Sequence, residues 1–134
     1  MATGFYNVPK AVNEPVKSYA PNSPEREELL ATYKEMYNKV VDIPFYIGGL
    51  AVRSGKTVSI HPPHDHQHTV GSYHTAEKHH IEKAVENAVE ARKKWAATPW
   101  QDRAAIFLKA AELLAGPYRA RMNAATMIGQ SKNV

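Results

Sequence analysis

Histidines are the residues of this chain best suited to chemistry, because imidazole nitrogens bind transition metals and exchange protons near neutral pH. The sequence has seven of them, and one short segment combines four with a carboxylate: His61, His64, Asp65, His66 and His68. Zinc, copper and nickel all accept imidazole together with carboxylate ligands. This segment is therefore the first candidate for a metal site.

The spacing of His64, His66 and His68 limits how they can share one ion. On a β-strand the three side chains would face the same side, with neighbouring ones about 7 Å apart. A metal ion lies about 2 Å from each ligand nitrogen, so two of these side chains can share it, but three cannot unless the chain bends sharply. Because Pro62 and Pro63 interrupt the strand pattern, we interpret the segment as a polar loop and keep metal binding as the alternative.

The other titratable residues lie on predicted helices. His79 and His80 are adjacent, and successive helical side chains point about 100° apart, so we predict that these two do not act as a pair. The carboxylate pairs Glu27–Glu28 and Glu86–Glu90 have no neighbour in the sequence that would tune them for proton transfer. We interpret both pairs as solvated helix faces.

Several familiar active-site patterns are absent from the sequence. Without any cysteine, the chain has no thiol nucleophile, no disulfide and no cysteine zinc site. Neither the glycine-rich dinucleotide pattern nor the nucleophile elbow of serine hydrolases occurs. The run from Ser54 to Thr57 imitates the end of a phosphate-binding loop, but that motif needs glycine where this chain has Leu50.

Composition and charge exclude further classes of protein. The 134 residues are 43% apolar and 22% charged, which is typical of one globular domain. No apolar run reaches the roughly 18 residues of a membrane span, so we predict no membrane partner. The net charge of +4 is densest over 92–94, at the end of a predicted helix, and no aromatics interleave with it, so nucleic acid is not a predicted partner. No secretion signal or transit peptide is visible, which predicts a cytoplasmic protein.

The first half of the chain predicts an arm, a helix and several strands. Residues 1–21 contain three prolines and no hydrophobic period, which indicates an extended arm. Ser23 is placed to cap a helix with Pro24 in its first turn, and this helix should end at Val41 or Asp42. The remaining runs predict a hairpin that turns at two glycines, then two more strands: Phe45–Val52, Thr57–Ile60 and Thr69–His74.

Three amphipathic helices should follow, over 76–96, 99–115 and 117–128. Thr75 is placed to cap the first. Thr98, Pro99 and Gln101 have the spacing of a capping box at the start of the second. Pro117 cannot continue that helix but suits the opening of the third.

Short motifs distributed along the chain resemble one enzyme family. The most specific are Asn13-Glu14-Pro15-Val16, Ser23-Pro24-Glu25-Arg26, Asp102-Arg103-Ala104, Ile106-Phe107-Leu108-Lys109-Ala110-Ala111, Ala115-Gly116-Pro117 and Met127-Ile128-Gly129-Gln130-Ser131-Lys132. From about residue 11 to residue 134 the chain resembles the aldehyde dehydrogenase superfamily. The Asn-Glu-Pro arm, the Gly-Pro joint and the last motif make it most similar to the pyrroline-5-carboxylate dehydrogenase branch.

This resemblance implies a mixed α/β fold that corresponds to the N-terminal part of the aldehyde dehydrogenase fold, without the Rossmann-type and catalytic domains. Residues 1–21 would form the arm, and 22–134 the beginning of the NAD-binding domain. The enzymes of this branch are homo-oligomers that use NAD to oxidise L-glutamate γ-semialdehyde, the open form of 1-pyrroline-5-carboxylate, to glutamate in proline catabolism.

None of the family's catalytic or cofactor-binding residues can be placed in this sequence. In the family, the catalytic cysteine, the general-base glutamate, the oxyanion asparagine and the cofactor-binding lysine come later in the chain, so Glu90, Glu112 and Asn133 do not take those roles. We therefore expect no catalytic residue, no NAD-binding residue and no bound cofactor here. The expected partner is the remainder of the same polypeptide.

Three hypotheses follow, in order of preference. In the first, the chain is an N-terminal dehydrogenase segment, inactive alone, whose apolar helix faces are left exposed. The second is a histidine-rich metal-binding module centred on 61–68. The third is a basic helical adaptor for nucleic acid or for a partner helix.

Overall fold

A computed structural model describes residues 4, 5 and 7–134. The helices are α1 (Pro24–Asn38), α2 (Lys78–Ala97), α3 (Trp100–Ala115) and α4 (Arg119–Gln130). The strands are β1 (Val41–Ile43), β2 (Phe45–Ile47), β3 (Leu50–Val52), β4 (Thr57–Ile60) and β5 (Gly71–His74). The predicted mixed α/β class is confirmed. In this part of the chain, no helix is both long enough and apolar enough to cross a bilayer.

The core lies between α1 and α4. Leu29 of α1 packs against Ala124 and Met127 of α4, with Tyr33 and Met36 partly buried around them. These residues recur at helical spacing, so each helix presents one apolar stripe to the other. This helix pair is the best-packed part of the described structure and holds the loop that contains the histidines.

The strands form two small sheets. In the first, the order is β1-β5-β4, with β1 parallel and β4 antiparallel to β5. The second is the predicted hairpin of β2 and β3. Gly48 and Gly49 turn it with φ angles of 59° and 80°, a region that glycine enters without steric cost, so this prediction is confirmed.

The predicted end of α1 at Val41 or Asp42 is wrong. The helix stops at Asn38, and Val41 instead begins β1, where its N–H donates to the carbonyl of Val70 at 3.1 Å. A β-branched residue favours this extended conformation when a strand is available to pair with it. The register places Val41 opposite Gly71, thirty positions along the chain.

Two predicted helix caps are also wrong. Thr75 does not cap α2, because its hydroxyl donates to the carbonyl of Lys56 at 3.2 Å, and Glu77 takes the N-cap position. Thr98 does not form a capping box for α3, because its hydroxyl donates to the carbonyl of Lys94 at 2.9 Å and so closes the end of α2. The N-cap of α3 is Pro99, which has no side-chain hydrogen bond to offer.

The observed starts of α1 and α4 agree only in part with those predicted from the sequence. Ser23 is the N-cap of α1 and Pro24 opens it, but the buried Ser23 hydroxyl makes no hydrogen bond within the described residues. Pro117 lies in a turn, and α4 begins at Arg119. Because α1 forms without a side-chain hydrogen bond from its N-cap, packing of its apolar stripe decides its position.

Residues 7–20 contain neither helix nor strand. They lie against α4, where the Arg119 guanidinium donates to the carbonyl of Pro15 at 2.8 Å and the Asn123 amide donates to the Tyr19 hydroxyl at 2.9 Å. Residues 1–3 and 6 of the arm predicted over 1–21 lie outside the described residues, and a domain boundary at 21 stays a prediction.

The apolar stripes of α2 and α3 are uncovered. Neither helix contains a buried residue. The exposed side chains include Ile81, Val85 and Val89 on α2, and Ile106, Phe107 and Leu108 on α3. Phe107, for example, is 67% exposed. The apolar faces of these two helices are therefore exposed, as the first hypothesis expects.

Candidate functional site

The predicted histidine loop is a series of turns between β4 and β5. His64 and His68 are each held by a different helix. A hydrogen bond of 3.0 Å joins His64 Nδ1 to the Ser131 hydroxyl after α4, and His68 Nε2 donates to the carbonyl of Tyr37 on α1 at 2.6 Å. The interpretation as a polar loop is confirmed. Among the described residues, His64, His66 and His68 do not form a metal-ligand group.

Tyr37 organises this loop, and sequence reasoning did not identify it. Its ring stacks on the ring of His68 with centroids 4.1 Å apart, and its hydroxyl donates to Asp65 Oδ2 at 2.8 Å. This hydrogen bond is the main reason that the pKa of Asp65 is lowered and the pKa of Tyr37 is raised. His68 and Asp65 therefore fasten the loop to α1.

The lowered pKa of Asp65 predicts a stability loss in acid. A carboxylate whose pKa is lower in the folded than in the unfolded chain stabilises the fold above its unfolded pKa of about 3.9, and this contribution disappears as the pH falls through the folded pKa. Asp65→Asn keeps a side-chain acceptor for Tyr37 but cannot titrate. We expect its thermal unfolding midpoint to fall less steeply than that of the unsubstituted chain when the pH is lowered from 5 to 3.

Glu14→Gln is the matched control for this measurement, because it removes one carboxylate from the exposed arm. Its midpoint should follow the unsubstituted chain at each pH. Parallel curves for Asp65→Asn and the unsubstituted chain would show that the bond between Tyr37 and Asp65 contributes nothing to acid sensitivity.

A second histidine site joins the two sheets. The side chain of His74 is only 6% exposed, and its Nε2 donates to Asp42 Oδ1 at 3.0 Å. The Gly55 N–H donates to its Nδ1 at 3.2 Å, which places the ring proton on Nε2. Asp42 Oδ2 also accepts from Arg53 Nε at 2.6 Å, and this bond is the main reason that the pKa of Asp42 is lowered.

The Asp42–His74 pair resembles part of a catalytic triad but is arranged as a clamp. Both nitrogens of His74 are already engaged by protein groups, so the ring cannot accept a proton from a substrate without breaking one of these bonds. Asp42 lies on β1, His74 on β5 and Arg53 just after β3. The network therefore connects the hairpin to the three-stranded sheet.

The third cluster lies at the start of α2. His79 and His80, predicted not to act as a pair, have ring centroids 3.8 Å apart, so that prediction is wrong. Rotation about the side-chain bonds brings the rings together although their Cα–Cβ bonds diverge. His79 Nδ1 lies 3.6 Å from Glu77 Oε2, and these three residues are the only described group whose candidate ligand atoms all lie within 4.8 Å of one another.

Two further interactions fix this cluster. Glu77 and His80 form a capping box, in which the Glu77 N–H donates to His80 Nδ1 at 3.2 Å. Lys56 Nζ makes an ion pair with Glu77 Oε1. That hydrogen-bonded ion pair is the main reason that the pKa of Glu77 is lowered and the pKa of Lys56 is raised.

The same junction does not fit a dinucleotide. A Rossmann-type site binds the pyrophosphate on free N–H groups at the helix start after a glycine-rich turn. Here the turn from β5 to α2 carries the Glu77 carboxylate at that position, where it would repel a phosphate. This junction therefore does not have the form of a Rossmann-type pyrophosphate site.

Comparison with known proteins identifies the family. Residues 51–133 match the profile of the aldehyde dehydrogenase family. The chain is 43% identical over 129 residues to the delta-1-pyrroline-5-carboxylate dehydrogenase of Agaricus bisporus, covering 96% of this chain and 24% of that protein. It is 41% identical over 125 residues to the human enzyme named delta-1-pyrroline-5-carboxylate dehydrogenase, mitochondrial, covering 93% of this chain and 22% of that protein.

Solved structures give the same result. The Mycobacterium tuberculosis delta-pyrroline-5-carboxylate dehydrogenase bound with NAD and cobalamin superposes with a TM-score of 0.92 at 40% identity, over 97% of this chain and 25% of that one. The chain thus spans about a quarter of the length of these relatives. The similarity predicted from the sequence, including the match to an N-terminal part of the fold, is confirmed. Since the family profile covers more than half of the sequence, the chain belongs to the aldehyde dehydrogenase family.

Proposed function

We infer that this chain provides the N-terminal part of the NAD-binding domain of a delta-1-pyrroline-5-carboxylate dehydrogenase, with 1–21 as its arm and 22–134 as the domain portion. The observation that carries this proposal is the agreement, along nearly the whole chain, with one segment of the solved enzymes of that name. In such an enzyme NAD, when bound, serves as hydride acceptor in the oxidation of L-glutamate γ-semialdehyde to glutamate.

The role of this segment is support. Its capped and ion-paired junction at Glu77 leaves no place for a pyrophosphate, and both nitrogens of the best-buried histidine, His74, are already bonded. What the segment offers instead is apolar surface on α2 and α3. Covering a large apolar side chain stabilises an assembly by about 1.5–3 kcal/mol, so several such side chains on two helices can hold this segment on the rest of the enzyme.

Two apolar clefts on the described surface could also be covered by the rest of the enzyme. One of about 500 Å³ lies between the sheet and α4 and is lined in part by Val41, Ile60 and Ile128. Another of about 630 Å³ lies between the arm and α3 and is lined in part by Pro9 and Leu108. We expect polypeptide of the longer enzyme to fill both, and homo-oligomer formation to be a property of that longer enzyme. The cytoplasmic location stays a prediction.

This proposal predicts that the 134-residue chain alone does not oxidise the aldehyde. We expect the rate of NADH formation to equal the uncatalysed background, and NAD titration to give no saturable binding, because the reacting groups and the cofactor cradle lie elsewhere. The measurement uses a sample whose intact mass is verified, with a complete dehydrogenase of the same branch at equal concentration as the positive control.

A complementation assay tests the supporting role. A homologous enzyme that lacks its first quarter is mixed with this chain, and with a variant in which Ile81, Val85 and Phe107 are replaced by serine. We expect the unsubstituted chain to raise NADH formation and the variant to fail. Turnover by this chain alone would refute the proposal, and equal rescue by both chains would refute the role of α2 and α3.

A further inference from the structure

We propose that Glu77, His79 and His80 form a surface site for one divalent transition-metal ion of the zinc and nickel class. Two imidazoles and one carboxylate are a ligand set that these ions accept, whereas magnesium and calcium prefer oxygen ligands only. Ligand atoms around a tetrahedral zinc lie roughly 3.3 Å apart, given metal–ligand distances near 2 Å. The candidate atoms already lie within 4.8 Å of one another, so short side-chain rotations complete the approach.

One ligand is free to adjust, and the other two are held by the interactions at the start of α2. The ring centroids of His80 and Phe45, on β2, are 5.2 Å apart. The His80 ring also takes part in the capping box. The side chain of His79 is 66% exposed, so it can move toward an ion without disturbing the core. The side chain of Glu77 is 41% exposed but is held by the capping box and by its ion pair with Lys56. The site thus has one fixed imidazole, one movable imidazole and a carboxylate that already has partners.

The Glu77 carboxylate already has a cationic partner. The Lys56 ammonium pairs with Glu77 Oε1. A bound metal ion must compete with that ammonium, and its charge is also opposed by the positive end of α2. Removal of the Lys56 charge should therefore strengthen metal binding, which distinguishes this site from an accidental surface histidine.

Metal binding also changes which ring nitrogen of His80 can carry the proton. While Nδ1 accepts the Glu77 N–H, the ring proton lies on Nε2. Binding of the ion to Nε2 moves that proton to Nδ1, which can then no longer accept from the Glu77 N–H, and binding to Nδ1 breaks the same cap bond directly. Either route opposes binding, so we expect weaker affinity than in a closed structural zinc site.

The test is calorimetric titration of the purified chain with zinc chloride at pH 7.5. We expect one ion per chain, and a loss of affinity of about tenfold or more in His79→Ala and in Glu77→Gln, since removal of even an outer-shell partner costs 10–100-fold. Lys56→Met should bind more tightly than the unsubstituted chain. His66→Ala, an exposed histidine of the 61–68 loop, is the matched control and should bind unchanged. Far-UV circular dichroism checks that each variant keeps its helices.

Copper(II) supplies a second readout that a change in folding would not imitate. The electron paramagnetic resonance spectrum should show two nitrogen ligands in the unsubstituted chain and one in His79→Ala. Equal affinities for the unsubstituted chain and His79→Ala, or loss of binding in His66→Ala with no loss in His79→Ala, would overturn the proposal. Because aldehyde oxidation is not measured, failure here leaves the supporting role proposed above untouched.

Discussion

Leu29→Ala should lower the free energy of unfolding by about 2–5 kcal/mol, the cost typical of truncating a fully buried leucine. Leu29 is 3% exposed and packs on Ala124 and Met127, so its removal leaves a cavity at the centre of the contact between α1 and α4. Folded domains are stable by only about 5–15 kcal/mol, and this change therefore removes a large share of the total. Urea unfolding followed by circular dichroism measures it.

Leu30→Ala is the matched control, because the next residue of the same helix is 42% exposed. Leu30→Ala removes the same atoms as Leu29→Ala and changes the helix propensity by nearly the same amount. Unlike Leu29→Ala, it leaves no enclosed cavity. We expect a loss below about 1 kcal/mol for it, as for most surface substitutions. Similar losses for the two variants would show that the contact between α1 and α4 is not the main stabilising interaction of this chain.

Local chemistry made some elements predictable from the sequence. The hairpin of β2 and β3 was predicted because Gly48 and Gly49 provide the positive φ angles that its turn needs, and no distant residue is required. The helix start at Pro24 was predicted for a similar reason, since proline suits the first turn. In both places the determining residues are neighbours in the sequence.

Distant partners explain the failures. Val41 continues the apolar stripe of α1 and gives no local sign that Gly71 will pair with it in a strand. Thr98 can serve either the end of α2 or the start of α3, and the sequence does not say which helix it will close. A residue with two local options is settled by packing, which a single sequence does not show.

The candidate sites depend even more on long-range contacts. Tyr37 reaches Asp65 across 28 positions, and Asp42 reaches His74 across 32. The loop histidines attract attention because they are close in sequence, yet the structure directs two of them to different helices. His79 and His80 were set aside because ideal helix geometry separates them, although side-chain rotation brings their rings together. Residue type pointed to the histidines, but only the fold decides which of them converge.

Gly71→Ala should separate β1 from β5 and lower the free energy of unfolding by about 1–3 kcal/mol, the range for overpacking a well-packed site. A methyl group at this position would lie 2.6 Å from the carbonyl oxygen of Val41 and 2.7 Å from its Cγ2 atom. The oxygen belongs to the backbone of β1, so relief requires movement of the whole strand. The loss is measured by urea unfolding, and amide exchange of Val41, whose N–H donates to Val70, reports the strand separation.

Gly129→Ala is the informative control, because it adds the same methyl group where nothing lies within 4 Å. Gly129 is in the last turn of α4, where alanine is the better helix former, so this variant should be unchanged or more stable by up to about 1 kcal/mol. The same substitution should thus have opposite signs at the two glycines. A stable Gly71→Ala with unaltered exchange at Val41 would mean that β1 does not lie this close to β5. The Asp42–His74 bond, which spans the same two strands, would then lose its structural basis as well.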